Sequence, residues 1–125
     1  MATKLVIDEE QGAAFIRRTG HINPSEMLEV TKGLESDPFF KNIRKSLSDV
    51  STADFSDISA NEFEFHAQYC ATRLKDIKIA IVAPSDLSYG LARRFEILSN
   101  LENVLVTRAM NEALSWLDVT LPEDF

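Results

Sequence analysis

The apolar run IKIAIVA at residues 77–83 constrains the fold more than any other segment of the chain. Successive side chains of a strand point to opposite faces of a sheet, and here the odd and the even positions are both apolar, with Lys78 as the exception. Strands that are apolar on both faces are typical of parallel sheets that are covered on both sides. We therefore predict a central, buried strand at this position.

The residues that follow this strand, Pro84, Ser85 and Asp86, predict a sharp change from strand to helix. Proline cannot donate a ladder hydrogen bond, serine is a preferred N-cap, and the helix dipole favours a carboxylate in the first turn. Because ligands of open α/β sheets bind beyond the carboxyl ends of the strands, these residues are also candidates for a strand-end pocket. The helix is predicted to pack through Leu87, Leu91, Phe95 and Leu98.

Apolar spacing along the whole chain predicts the element order β-β-α-β-α-β-α-β-α in a single domain that spans residues 1–125. Strands that alternate with helices indicate a mostly parallel sheet with right-handed crossovers. The third strand is predicted at residues 43–50. The core is expected at residues 5–117, and residues 118–125 are expected to form a loose tail.

Local signals predict how several of these elements begin. Gly12 follows a polar run between the first two strands and is available for positive φ, as in an antiparallel hairpin. Asn23 is a predicted N-cap, with Pro24 at the first helical position. The sequence SANE at residues 59–62 is a capping box, which predicts that Ser59 caps the second helix.

The composition predicts a cytoplasmic protein that binds no nucleic acid and does not insert stably into a membrane. A formal net charge of −7 disfavours anionic partners, and Arg17 and Arg18 are expected to be solvated. Cys70 is the only cysteine, which suits a reducing compartment. No apolar run approaches the roughly 20 residues of a spanning helix, and the first ten residues, MATKLVIDEE, lack the apolar core of a secretory signal.

Sequence signals for catalysis, metal binding or cofactor binding are absent. His21 and His66 have no zinc-ligand spacing around them, and His66 is expected to be a packed or half-exposed helix residue. The chain contains no G-x-S-x-G, no P-loop and no G-x-G-x-x-G. We therefore expect a protein that is not an enzyme, with no catalytic residue, no metal and no cofactor.

The polar connection before the second helix is the strongest candidate for a regulatory or partner-binding site. It carries the acids Asp49 and Asp57 and the hydroxyls of Ser51, Ser56 and Ser59. A phosphoryl group would add a charge of about −1.5 to −2 beside these carboxylates, and the repulsion would release a docked partner. A cap of the second helix is the structural role that competes with this one for Ser59.

The segments IAIVAPSDLSYGLARRFE and VLVTRAMNEALSWL resemble bacterial proteins of the SpoIIAA-like (STAS/SEC14-type) family. The helix SEMLEVTKGLESDPFF before the strand LSDVS is also similar to the family's pattern. The resemblance spans about residues 5–117. It implies an α/β fold in which a mostly parallel, mixed five-stranded sheet carries an N-terminal hairpin and four helices.

The resemblance also implies two functions. Relatives that act as anti-anti-sigma factors bind a kinase-like partner and are switched by phosphorylation of a serine in Asp-Ser-Ser-Gly. The matching positions read Asp57, Ile58, Ser59 and Ala60, so Ser59 is the remaining acceptor, one position late. We therefore expect a non-catalytic STAS-like regulatory or protein-interaction module. The SEC14 link implies the alternative, a small carrier of a lipid or other apolar ligand.

A homodimer is a further expectation about partners. It would form through an apolar helix face that includes Phe65 and Tyr69.

Overall fold

The computed structural model describes residues 3–125, and its element order confirms the predicted one with a single-turn 3-10 helix added before the third strand. The strands are β1 (Thr3–Asp8), β2 (Ala13–His21), β3 (Lys45–Asp54), β4 (Lys78–Val82) and β5 (Val104–Thr107). The helices are α1 (Pro24–Ser36), the 3-10 turn (Phe40–Asn42), α2 (Ala60–Arg73), α3 (Asp86–Ser99) and α4 (Met110–Leu117).

The five strands lie in the order β1-β2-β3-β4-β5, with β1 antiparallel to β2 and every other neighbouring pair parallel. From β2 to β5 each crossover steps in the same direction. Because such crossovers are right-handed, α1, α2 and α3 share one face of the sheet, which we call the three-helix face. The crossover rule applies only between parallel strands, so it does not constrain the helix after β5. Helix α4 packs on the opposite face of the sheet, which we call the α4 face.

Strand β4 is buried on both sides, as the apolar run predicts. Ile79 and Ile81 belong to the core of the three-helix face, whereas Ala80 and Val82 belong to the core of the α4 face. Each of these side chains is at most 8% exposed. The predicted burial on both faces is confirmed, but β4 lies between β3 and the edge strand β5, so the central position in the sheet belongs to β3.

Side-chain caps fix the beginnings of the first three helices. The Asn23 carboxamide oxygen accepts a hydrogen bond from the Glu26 backbone N–H at 2.9 Å. Ser59 and Glu62 form the complete capping box, with each side chain accepting from the other residue's backbone N–H at 3.1 and 2.9 Å. The Ser85 hydroxyl caps α3 in the same manner. These three predicted caps are confirmed, and each satisfies an N–H group that has no partner within its helix.

Strand β3 continues to Asp54, four residues beyond the predicted end, because it stays paired with β2 as far as His21, and this pairing includes a bulge. Arg17 pairs with Asp49 and Thr19 pairs with Thr52, so β3 has one more residue than β2 across this stretch. After the bulge the side chain of Asp54 lies beside that of His21, its partner in the register. The polar connection to α2 is therefore shorter than predicted and covers residues 55–59.

The packing stripe of α3 differs from the predicted one at its first position. Leu87 is 76% exposed, so its predicted contact with the sheet is wrong. The buried positions are Ser88, Ala92, Phe95 and Ser99. Since the helix begins at Asp86, Leu87 lies in its first turn and points away from the core, whereas Leu91 and Leu98 flank the stripe as half-buried residues.

Residues 118–125, which the sequence suggests are loose, pack on the α4 face. The Phe125 ring contacts the buried Phe15 of β2, with 5.7 Å between the ring centroids. The Arg17 guanidinium lies 4.0 Å from the centroid of the Phe125 ring and donates a hydrogen bond to its backbone oxygen. Helix α4 packs on β3, β4 and β5, so this segment covers the part of β2 that α4 does not reach.

Two glycine-to-alanine substitutions should have opposite effects on the free energy of unfolding. Gly12 has a φ of +62°, and an added Cβ would lie 3.3 Å from the backbone oxygen of Asn42. We expect Gly12→Ala to destabilise the protein by about 1–2 kcal/mol. Gly33 lies in α1 with no atom within 4 Å of an added Cβ, so Gly33→Ala should stabilise it by about 0.5–1 kcal/mol. Urea denaturation measures both changes, and effects of the same sign would contradict this account.

Candidate functional site

A cavity of about 100 Å³ lies between the sheet and the helices of the three-helix face. Side chains of β2, β3, β4, α1, α2 and α3 line it, together with Phe55 from the loop after β3. Twelve of the nineteen lining residues are apolar, so the walls of the cavity are mainly apolar. The other seven are Arg18, Thr31, Ser46, Ser48, His66, Cys70 and Ser88. We call this space the three-helix cavity.

Arg18 brings a positive charge into the wall of this cavity. It is 7% exposed, because the even-numbered side chains of β2 point toward the helices. One guanidinium nitrogen, Nη2, donates to the Met27 backbone oxygen at 3.3 Å, and the other, Nη1, is buried without a hydrogen-bond partner. Among residues 3–125 no carboxylate forms an ion pair with Arg18. Burial lowers the pKa of Arg18 to about 10, so the group keeps its charge at neutral pH.

The polar groups next to Arg18 are neutral at that pH. His66 and Cys70 lie one turn apart on α2, with 3.6 Å between Nε2 and Sγ, and Thr31 lies 3.9 Å from the same sulfur. Burial, and secondly the charge of Arg18, lowers the pKa of His66 to about 4. Burial raises the pKa of the Cys70 thiol to about 11. Neither residue therefore carries a negative charge that would offset Arg18.

The two candidate residues at the bulge of β3, Asp49 and Ser51, lie outside the cavity lining. Asp49 forms an ion pair with Arg17 at 3.1 Å and accepts hydrogen bonds from the backbone N–H and the hydroxyl of Ser51. Through Arg17 this group is joined to Phe125 on the α4 face. These contacts are structural, and a role for Asp49 and Ser51 in partner binding or phosphorylation stays a prediction.

The loop at residues 55–59 brings three other candidates together at the surface. Asp54 accepts from the Ser56 backbone N–H at 2.9 Å, and Asp57 lies 2.6 Å from His21 Nε2. The hydrogen bond with Asp57, and then that with Asp54, raises the pKa of His21. Ser59 is exposed and closes the capping box of α2. A role for these residues in partner binding or phosphorylation stays a prediction.

Arg108, which follows β5, contacts two of the three residues of the predicted strand-end pocket, Pro84 and Asp86. Strand β4 leads into a helix on the three-helix face and β5 into one on the α4 face, and a crevice is expected where neighbouring strands diverge in this way. The Arg108 guanidinium donates to the Pro84 backbone oxygen at 3.0 Å and to the Asp86 carboxylate at 2.9 Å. It also lies 4.5 Å from the centroid of the Tyr89 ring. A role for Pro84, Ser85 and Asp86 in a strand-end pocket stays a prediction.

The predicted apolar face for self-association is reduced to one residue. Tyr69 donates a hydrogen bond to the Glu35 carboxylate at 2.7 Å, and the Arg73 guanidinium lies 3.7 Å from the centroid of its ring. Phe65 alone remains largely exposed, at 61%. A homodimer through this surface stays a prediction.

Arg18 is buried in the cavity wall, although the sequence analysis predicts that Arg17 and Arg18 are both solvated. The signal lies in strand alternation, since Ala14, Ile16 and Arg18 occupy positions of one parity and therefore share a face. Arg17 has the opposite parity and points to the α4 face, where it contacts Phe125. Two adjacent arginines on a strand cannot both face solvent when the sheet is covered on both sides.

Within residues 3–125, no group of three or more histidine, cysteine, aspartate or glutamate side chains is arranged to hold a metal ion. No helix in the described part of the chain has the length and apolar character needed to cross a membrane.

The two histidines should titrate on opposite sides of the ordinary histidine pKa of about 6.5. His66 is neutral when the protein is folded, so the stability linked to it is complete above pH 6.5 and is lost as the pH falls toward about 4. The loss is on the order of 3 kcal/mol. His21 contributes in the opposite sense: its stabilisation is complete below pH 6.5 and is lost as the pH rises through its raised pKa.

Histidine ring signals followed by NMR between pH 4 and 8 measure both transitions. The free energy of unfolding of His66→Gln should fall less than that of the wild-type protein between pH 6.5 and 4. As a control, Asp57→Asn should lower the pKa of His21 and leave that of His66 unchanged. Two transitions near pH 6.5 would contradict the burial of His66.

Comparisons with known proteins define the fold of this chain. No protein-family model matches it, and no curated protein matches it. It is similar in structure to an uncharacterized protein of the DUF3478 family from Shewanella loihica PV-4, whose crystal structure has a SpoIIAA-like fold. The TM-score is 0.67 at 19% sequence identity, and the likeness covers 93% of each chain. The chain therefore has the SpoIIAA-like fold that its sequence motifs suggest.

Proposed function

We propose that this protein is a non-catalytic STAS-like module that binds a small apolar molecule in the three-helix cavity. The observation that carries this proposal is the cavity itself, an unfilled and mainly apolar space in the core of a 125-residue protein. Protein interiors are packed as densely as organic crystals, and few voids exceed the size of a water molecule. A cavity of about 100 Å³ costs on the order of 2 kcal/mol of stability, and a ligand would recover that loss.

The size of the cavity favours a compact ligand over a lipid with long chains. An engineered apolar cavity of about 150 Å³ binds benzene, and the volume here is about 100 Å³, so a ligand would be at most about the size of one aromatic ring or a short branched chain. A two-chain lipid would require the helices to move away from the sheet. Of the ligands that the SEC14 resemblance implies, the small apolar ones therefore fit best.

The lining suggests where a ligand would enter. Most of its apolar side chains are buried, whereas Phe55 and Leu91 are half-buried. Phe55 belongs to the loop after β3, and Leu91 lies in the second turn of α3. We place the entrance between this loop and α3, at the carboxyl ends of the parallel strands, where ligands of α/β sheets generally bind.

A cavity-filling substitution tests the ligand-binding proposal. Ala92→Leu adds three heavy atoms to a side chain in the lining, so it should weaken the binding of toluene at least tenfold. The same substitution at the exposed Ala109, which does not line the cavity, should leave toluene binding unchanged. Ligand-detected NMR measures the affinities. Failure of the wild-type protein to bind toluene, or equal binding by Ala92→Leu, would refute the proposal.

A second candidate function is regulated binding of a protein partner at residues 55–59 and α2. The observation that favours it is the position of Ser59, exposed at the start of α2 with its hydroxyl 3.1 Å from the Glu62 backbone nitrogen. The Glu62 carboxylate returns to the Ser59 backbone nitrogen at 2.9 Å. A phosphoryl group on Ser59 would meet this carboxylate at close range, and the repulsion would open the capping box.

Affinity capture with charge variants tests this second function. The amount of captured partner should be similar for the wild-type protein and Ser59→Ala. It should be at least tenfold lower for Ser59→Glu, because the added charge repels Glu62. Ser59→Ala itself should cost about 1 kcal/mol of stability through the lost cap, so circular dichroism must confirm folding. Ser115→Glu, at an exposed site on α4, is the control and should retain the partner. Equal capture by Ser59→Glu and the wild-type protein would disprove regulation at this residue.

A further inference from the structure

We infer that the ligand of the three-helix cavity is a small monocarboxylate with an apolar body, and that its carboxylate pairs with Arg18. The inference rests on the proposed ligand site and names the chemical class of the ligand. It depends on a separate observation, the state of the Arg18 guanidinium in the cavity wall.

The Arg18 guanidinium lacks the partners that a buried charge requires. Charged groups inside proteins are generally paired, since an unpaired one loses its hydration without compensation. Arg18 has one hydrogen bond, from Nη2 to the Met27 backbone oxygen at 3.3 Å, while Nη1 has none. A charge buried in this way is costly for stability alone, but it is ready to pair with an anion that enters the cavity.

Residues 3–125 offer no anion that pairs with Arg18. Glu26, at the start of α1, is the carboxylate that acts on Arg18 electrostatically, but its side chain accepts a hydrogen bond from Asn23 at 2.7 Å. His66 and Cys70 are neutral, as their pKa values of about 4 and about 11 indicate. A negative charge that pairs with Arg18 must therefore come from outside residues 3–125.

A second buried nitrogen without a partner lines the same cavity. His66 Nδ1 has no hydrogen-bond partner, while Nε2 lies 3.6 Å from the Cys70 sulfur. If the thiol donates to Nε2, the neutral imidazole carries its proton on Nδ1 and can donate to a ligand oxygen. Arg18 and His66 would then present donors to the two oxygens of one carboxylate.

The chemistry of the lining favours a carboxylate over a phosphate. A guanidinium presents parallel N–H groups whose spacing matches both carboxylate and phosphate oxygens. A phosphate at neutral pH, however, carries up to two negative charges and needs further cations or donors. The cavity contains one positive charge, from Arg18, and its other walls are mainly apolar. A singly charged head group on a ring or a short branched chain matches both features.

Three probes of nearly equal size distinguish the contribution of the ligand's charge to binding from that of its apolar body. They are benzoate, its neutral isostere benzamide, and toluene. Isothermal titration calorimetry on the wild-type protein at pH 7 should show benzoate binding at least tenfold more tightly than benzamide. Arg18→Met keeps an unbranched apolar side chain and removes the charge. It should abolish the preference for benzoate and retain the binding of toluene. Arg18→Lys keeps the charge without the planar pair of donors and should retain part of the preference.

The melting temperature without ligand distinguishes a ligand-binding arginine from a structural one. Arg18→Met removes an unpaired buried charge and should raise the melting temperature of the ligand-free protein. A fall would mean that the bond to Met27 makes Arg18 structural, and it would overturn the inference. If Arg18→Met does not fold, Arg18 side-chain NMR signals of the wild-type protein that shift with benzoate and not with benzamide would support the pairing. Equal shifts with both probes would oppose it.

The outcomes separate this inference from the function on which it rests. Binding of toluene and benzamide with no preference for benzoate would overturn the carboxylate assignment and leave the apolar-ligand site intact. Failure of all three probes to bind the wild-type protein would overturn both. Loss of toluene binding in Ala92→Leu, together with benzoate preference in the wild-type protein, would support both.

Discussion

Burial of β4 on both faces is the constraint on which the rest of the structure depends. Ile79 and Ile81 require a cover on one side of the sheet, and Ala80 and Val82 require one on the other. Right-handed crossovers that step in one direction can supply helices to one face only. The second cover must therefore come from outside the crossovers, and α4 with residues 118–125 provides it. The contacts of Phe125 with Phe15 and Arg17 thus help to cover the face of the sheet that Ala80 and Val82 share.

The cavity follows from how the three-helix face is packed. The buried stripe of α3 includes Ser88 and Ala92, and both small side chains line the space that larger ones would fill. Arg18 and His66 add polar nitrogen atoms that have no partners there. The void and the buried charge both lower stability. The proposed binding site rests on these two costs, which fall at one place in a fold whose caps and strand β4 are well formed.

The fold was predictable because its signals are local. The caps at Asn23, Ser59 and Ser85 and the two-sided apolar strand depend on residues close in sequence, and the structure agrees with each of them. The bulge in β3 was not predictable, because it is a property of register between two strands. The proposed site could not be predicted for the same reason, because the burial of Arg18 depends on which face of β2 the helices cover. The contacts of Arg108 with Pro84 and Asp86 could not be predicted either, because Arg108 is distant from them in sequence.

The two proposed functions share one structural element, the loop at residues 55–59. Phe55 lines the cavity, while two residues further along Asp57 contacts His21 at the surface, and Ser59 begins α2. A ligand that displaces Phe55 would therefore act on the segment that carries the proposed partner site. Coupling of this kind is reciprocal: a partner that binds more tightly to the ligand-bound loop must raise the affinity for the ligand by the same factor. The α2 capping box is held by two hydrogen bonds near 3 Å. The size of that coupling would depend on how readily this box opens.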